Sequence, residues 1–245
     1  MKEAAMTRVS RICGRTIAGA LAVAACAASW LNGPQASAQS SALPAPISQA
    51  IRSSEAASTT YSFDLRYETA DGLFNARFDL GAAGPDLVLT SPQRAELAPS
   101  LRTDFDTLQQ RITGVTWCAG SNLAHIRDVR LVREDDQTWT YSFQPTEESV
   151  TGDMTRRIVE RLRGELVVSK GASPDVIRTR LFLARPFSPM PLANLDRYTV
   201  ATSCAIAPNG RRYSAELATD THGTFPGRTI TMRANRRISN LRAAP

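Results

Sequence analysis

Short catalytic motifs are missing from this sequence. There is no G-x-S-x-G elbow, S-x-x-K, H-E-x-x-H, C-x-x-C or phosphate-cradling glycine loop, so the hydrolase, metalloprotease, redox and nucleotide-binding classes that rest on them lose their usual local signature. Histidine is nearly absent. His125 and His222 are the two present, 97 positions apart, which excludes a histidine-rich metal site and leaves no metal or cofactor to expect. His125 and Asp128 lie three apart at the entrance to an expected strand, so they point to opposite faces. His222 falls beside Asp220 and Gly223 in an expected turn. Neither histidine reads as a general base, and no catalytic residue is assigned. Carboxylates are scattered or sit in turns, as in Asp135-Asp136 and Glu147-Glu148.

What is present is ordinary globular composition. The 245 residues are 42% hydrophobic and 21% charged, which excludes a disordered, collagen-like or coiled-coil chain. Residues 1–38 read as an export signal: Lys2, Arg8, Arg11 and Arg15, then a small apolar run from Thr16 to Leu31, then Ala36-Ser37-Ala38 before Gln39. The run is too short and too rich in Ala and Gly to serve well as a membrane span. Cleavage after Ala38 predicts a periplasmic protein. A second route competes, because Val23-Ala24-Ala25-Cys26 is similar to a lipobox, and lipidation at Cys26 would tether the chain to the envelope. Removing Lys2, Arg8, Arg11, Arg15 and Glu3 takes 29 basic and 23 acidic residues to 25 and 22, a net charge of +3. Most of the basicity therefore belongs to the signal, and nucleic acid is not an expected partner.

Beyond residue 38 two cysteines remain, Cys118 and Cys204. An even pair in an oxidising compartment predicts a disulfide. It would close a loop of about 86 residues and contribute roughly 4 kcal/mol on the chain-entropy model. A catalytic Cys paired with His125 or His222 is the competing reading, and no local motif accompanies it.

Hydrophobic periodicity organises the rest. Residues 39–58 form a flexible lead-in and a short helix through Ile47, Ala50 and Ile51; residues 59–242 form one domain. Tyr61, Phe63, Leu65 and Tyr67 alternate with polar residues, and after Asp71-Gly72 so do Phe74, Ala76, Phe78 and Leu80, which predicts a hairpin with one apolar face. Leu101, Phe105, Leu108 and Ile112 predict a helix, with Ser100 as cap and Pro99 blocking extension backward. A second hairpin joins 126–133 to 138–144, with Trp139, Tyr141 and Phe143 on one face. A second helix is expected over 153–163, with Met154, Ile158 and Leu162 on its stripe, Thr151 capping and Gly164 ending it. Five strands then follow as a meander, 165–169, 176–184, 196–206, 212–221 and 229–238, with 186–191 as a proline-rich loop.

The fold class is therefore α+β, mainly β: a large curved antiparallel half-barrel of nine or ten strands with about two helices on its concave face. With a signal peptide ahead of it, the Gly164-Glu165-Leu166-Val167-Val168 strand leading into Arg178-Thr179-Arg180-Leu181 and the meander resembles the periplasmic lipoprotein-carrier fold of the LolA/LolB type. The resemblance spans about Tyr61 to Asn240 and is one of architecture. The Arg- and Pro-containing early segment of those carriers has no counterpart here, so no functional residue transfers. It implies a cavity for a hydrophobic ligand.

Two features refine that expectation. Phe187, Met190 and Leu192 lie on the proline-stiffened loop and are expected to form a lip of the ligand mouth, with Trp139, Tyr141 and Phe143 as further ligand contacts. The C-terminal arginines Arg228, Arg233, Arg236, Arg237 and Arg242, with no acidic residue after Asp220, suggest contact with anionic lipid, above all through Arg233, Arg236 and Arg237. The leading reading is a non-enzymatic exported protein that binds or carries lipid or an acyl chain. A periplasmic hydrolase with a long-range site and a structural envelope protein without a cavity are the alternatives.

Overall fold

The computed structural model describes residues 42–56, 60–81, 85–226 and 228–243. The expected export signal, its expected cleavage point and Cys26 lie outside the described residues. The elements run α1 (Ala45–Glu55), β1 (Tyr61–Thr69), β2 (Gly72–Phe78), β3 (Leu87–Ser91), α2 (Pro99–Arg111), β4 (Arg127–Glu134), β5 (Thr138–Gln144), α3 (Asp153–Arg157), β6 (Leu162–Ser169), β7 (Val176–Leu183), β8 (Phe187–Met190), β9 (Ala193–Ile206), β10 (Arg212–Phe225) and β11 (Arg228–Ala243).

All eleven strands belong to one antiparallel sheet in the order β3-β2-β1-β11-β10-β9-β7-β6-β5-β4, with β8 paired to β9 beside this path. The C-terminal strand thus closes onto the first hairpin, Leu65 facing Ile238 and Tyr67 facing Arg236. β3 and β4 remain as open edges. The mainly-β, open half-barrel expectation holds, with eleven strands rather than nine or ten; the three α-helices correspond to the short lead-in helix and the two further helices expected from the sequence.

Alternation explains the inner face. Tyr61, Phe63 and Leu65 of β1 and Phe74, Ala76 and Phe78 of β2 are buried, while of the residues between them Ser62 is buried with its hydroxyl on Asp79 and Asp64 pairs with Arg77. Gly72, at φ 128°, makes the tight turn between the two strands possible. α2 lays Leu101 and Phe105 on this end of the sheet. α1 lays Ile47, Ala50 and Ile51 on the opposite end, against Phe143, Leu166, Val168 and Val176.

Several expectations are corrected. Pro99 opens α2 as its first residue and does not merely block it, because a proline at that position loses no hydrogen bond. Ser100 is no cap; its hydroxyl donates to Asp71 at 2.7 Å. The second helix stops at Arg157, gives one 3-10 turn over Val159–Arg161, and Leu162 already begins β6. Its buried stripe is Thr155, Ile158 and Val159, with Met154 exposed, since Ile158 and Leu162 pack on Leu195 and Tyr198 of β9. Thr151 is likewise not the cap: Gly152 holds that position at φ 89°. Gly164 does not end a helix; it sits in β6 opposite Phe143, whose ring fills the space a Cβ would take. The segment read as a proline-rich loop contains β8, which pairs Phe187 with Leu195 and Met190 with Ala193. His222 lies within β10, not in a turn.

Candidate functional site

A cavity of about 410 Å³ lies between the inner face of the sheet and the segments that cross it. Phe143 of β5 and Arg236 of β11 both border it. Those strands are five steps apart in the sheet order, about 24 Å in a flat sheet, so the sheet must curl for both to reach one such cavity. The wall is built by alternation on the long strands: Thr179 and Leu181 of β7, Val200 and Thr202 of β9, Leu217 and Thr219 of β10. β-branched residues suit a pleated strand, and threonine adds a hydroxyl without charge.

The cover is fastened at several points. Cys118 and Cys204 form the disulfide expected from the sequence, tying the segment before β4 to the end of β9. The same segment runs beside the start of β10 like an extra strand: Cys118 N donates to Arg212 O at 3.0 Å and Ser214 N donates to Thr116 O at 2.9 Å. Asn122 Nδ2 donates to Ser149 O at 3.0 Å, and Thr155 Oγ1 and Tyr198 Oη lie 2.5 Å apart. Trp117, Leu123 and Val150 supply the apolar part of this cover.

Arg236 is the one charged residue on the cavity wall among the described residues. It also borders a second cavity, of about 520 Å³, that runs toward Ile112 and Val115, and Thr116 and Thr151 are shared by both. Across the sheet it faces Tyr67 on one side and Leu217 on the other. Burial pulls the Arg236 guanidinium below its ordinary pKa. Burial, followed by the neighbouring Asp104 carboxylate, pushes the Tyr67 phenol up to about 12. Asp104 itself is raised, chiefly by burial. The guanidinium gives the cavity wall hydrogen-bond donors and one positive charge, while the protonated Tyr67 phenol beside it is engaged with Asp104.

Of the ligand contacts expected from the sequence, Phe143 lines the cavity. Tyr141 is buried with α1 in the neighbouring core. Trp139 is half-buried near the β4 edge, its Nε1 donating to Glu134 at 3.2 Å with Lys170 over its ring. Phe187 packs against the cluster of Ile158, Leu162, Leu195 and Tyr198, under Arg161. Met190 is half-exposed, and Leu192 is 84% exposed at φ 65°. None of these last five is on the cavity wall.

The C-terminal arginines divide by register. Arg233 pairs with Asp220 and Arg237 with Glu216, while Arg236, between them, takes the opposite face. Arg242 meets Asp64. The signal for Arg236 was in the sequence, because it occupies the alternating row of Ile230, Met232, Ala234 and Ile238; counting it within a basic run hides that position. His222 Nδ1 lies 3.2 Å from Asp196 Oδ2, and His125 is exposed. Among the described residues no cluster of three or more His, Cys, Asp or Glu is disposed to hold a metal. Comparison with protein-family models, with curated proteins and with solved structures found no match.

Proposed function

We propose that this chain is an exported, non-enzymatic envelope protein that binds or carries a hydrophobic ligand, such as a lipid or an acyl chain, inside its open half-barrel. The observation that carries the reading is the cavity of about 410 Å³ whose wall mixes Leu, Val, Phe and Thr with a single charge. Its size falls in the range of small-molecule sites, about 300–1,000 Å³, and such sites are mostly apolar with a few placed polar groups. The Cys118–Cys204 bridge suits an oxidising compartment, in keeping with the export signal over residues 1–38. The architectural resemblance to the LolA/LolB carriers points the same way.

Mass spectrometry of the protein recovered from a bacterial envelope fraction tests both halves of the reading. The expected result is a mature chain starting at Gln39 with about one apolar molecule bound. A diacylated Cys26 would make it a tethered acceptor in place of a soluble carrier. A folded protein with no bound lipid, and no uptake of added acyl chains, overturns the carrier reading in favour of a structural role.

A further inference from the structure

The cavity wall carries a charge that the sheet does not neutralise. Every other charged position near it on β11 is committed: Arg233 to Asp220, Arg237 to Glu216 and Arg242 to Asp64. Arg236 has no ion-pair partner among the described residues, although it is half-buried and flanked by Tyr67 and Leu217. A desolvated arginine without an anion is costly unless something satisfies it. Water or a ligand must supply the acceptors. The guanidinium is also placed where a ligand spanning the two cavities would pass, since Arg236, Thr116 and Thr151 border both.

We propose that Arg236 anchors the anionic head of an amphiphile, a carboxylate or a phosphate, while its chain lies along the Leu181, Val200 and Leu217 wall. This rests on the hydrophobic-ligand reading and narrows its ligand class. Three features favour an anion over a neutral head. The guanidinium fork matches two oxygens of a carboxylate or phosphate. Thr116 and Thr151, on the same stretch of wall, add neutral hydroxyls. The Asp104 carboxylate engages Tyr67 and lines neither cavity, so it leaves the positive charge unopposed on the wall.

The experiment is titration calorimetry of the full chain at pH 8 with dodecanoate, dodecyl phosphate and dodecanol. These probes share one chain length and differ in the head. The wild type is expected to bind at least one of the two anions about tenfold or more tightly than dodecanol, the scale of a charge-assisted hydrogen bond. Which anion binds tighter separates a carboxylate ligand from a phosphate one. Arg236→Met should erase that preference, lowering affinity for the anions far more than for dodecanol, and Arg236→Lys should keep part of it. Equal affinity of the wild type for all three probes overturns the anchor and leaves the carrier reading standing. So does a parallel loss for all three probes in a folded Arg236→Met. Binding of none of the probes overturns both.

Discussion

Two stretches of the same inner face are built differently. At the β1–β3 end, α2 closes over aromatic rings: Phe63 stacks on Phe78 at 4.8 Å, Phe105 meets Phe74 edge-on at 5.5 Å, and Phe63, Phe74 and Phe78 are fully buried. In the middle, β7, β9 and β10 present Thr179, Thr202 and Thr219 between Leu and Val, and the space above them is open. Both stretches obey the same period-two alternation. The difference is side-chain volume, and it teaches that one continuous sheet can be solid where its row is aromatic and hollow where its row is short. Tyr67 and Arg236, paired across β1 and β11, mark the border between the two.

The sharpest way to break this comparison is to truncate one residue from each side. Phe74→Ala removes a fully buried ring and should cost about 3–5 kcal/mol. Leu217→Ala, on a wall that already faces open space, should cost distinctly less, about 1–2 kcal/mol, because little new cavity forms. Equal losses in chemical denaturation would mean that the middle is as tightly filled as the end. Opening the disulfide tests the cover of the hollow region. Cys118→Ala with Cys204→Ala releases a constraint spanning 86 residues and should cost about 2–5 kcal/mol. The same loss should follow on adding reductant to the wild type, with bound acyl chain lost before the fold.

A smaller effect is expected at the junction of cavity and α1. Gly164→Ala drives a Cβ into the Phe143 ring and should destabilise by about 1–3 kcal/mol. Phe143→Leu in the same chain should restore part of that, which thermal unfolding of the single and double variants would show. The smallest effect concerns the outer face of the filled end. There Asp64 accepts hydrogen bonds from Arg77 and Asn240, both at 2.8 Å, fastening β1 to β2 and β11. The Arg77 bond, then that from Asn240, hold its pKa below the ordinary carboxylate value. A lowered folded-state pKa means the contribution is complete above the unfolded value of about 4 and is lost as pH falls through the folded value. Asp64→Asn should therefore flatten the acid limb of a stability-against-pH curve and leave stability at pH 7 slightly reduced.

Much of the strand pattern was legible. The alternation in 61–67, 74–78 and 138–144 and the turn at Asp71-Gly72 locate both early hairpins because each strand carries one apolar row alternating with a polar one. Leu162 was not legible as a strand residue. Met154, Ile158 and Leu162 fit a helical stripe as well as the observed break, and burial against Leu195 and Tyr198 of a distant strand decided between them. β3 and β8 are short edge or side pairings of four or five residues, below the length at which period two is distinguishable from chance. Hydrophobicity alone marks Phe143, which lines the cavity, and equally Leu192, which faces solvent. Arg236 was visible as a residue and invisible as a wall residue until its register was fixed.

The sequence by itself determined the class of the fold, the pairing of Cys118 with Cys204 and which row of each long strand is apolar, since these follow from local periodicity and from there being two cysteines beyond residue 38. Only the tertiary structure decided that β11 lies beside β1, that the sheet curls far enough to bring Phe143 and Arg236 to one cavity, and that the cavity is left open. Those depend on register between strands far apart in the chain and on the summed volumes of side chains that no local pattern brings together.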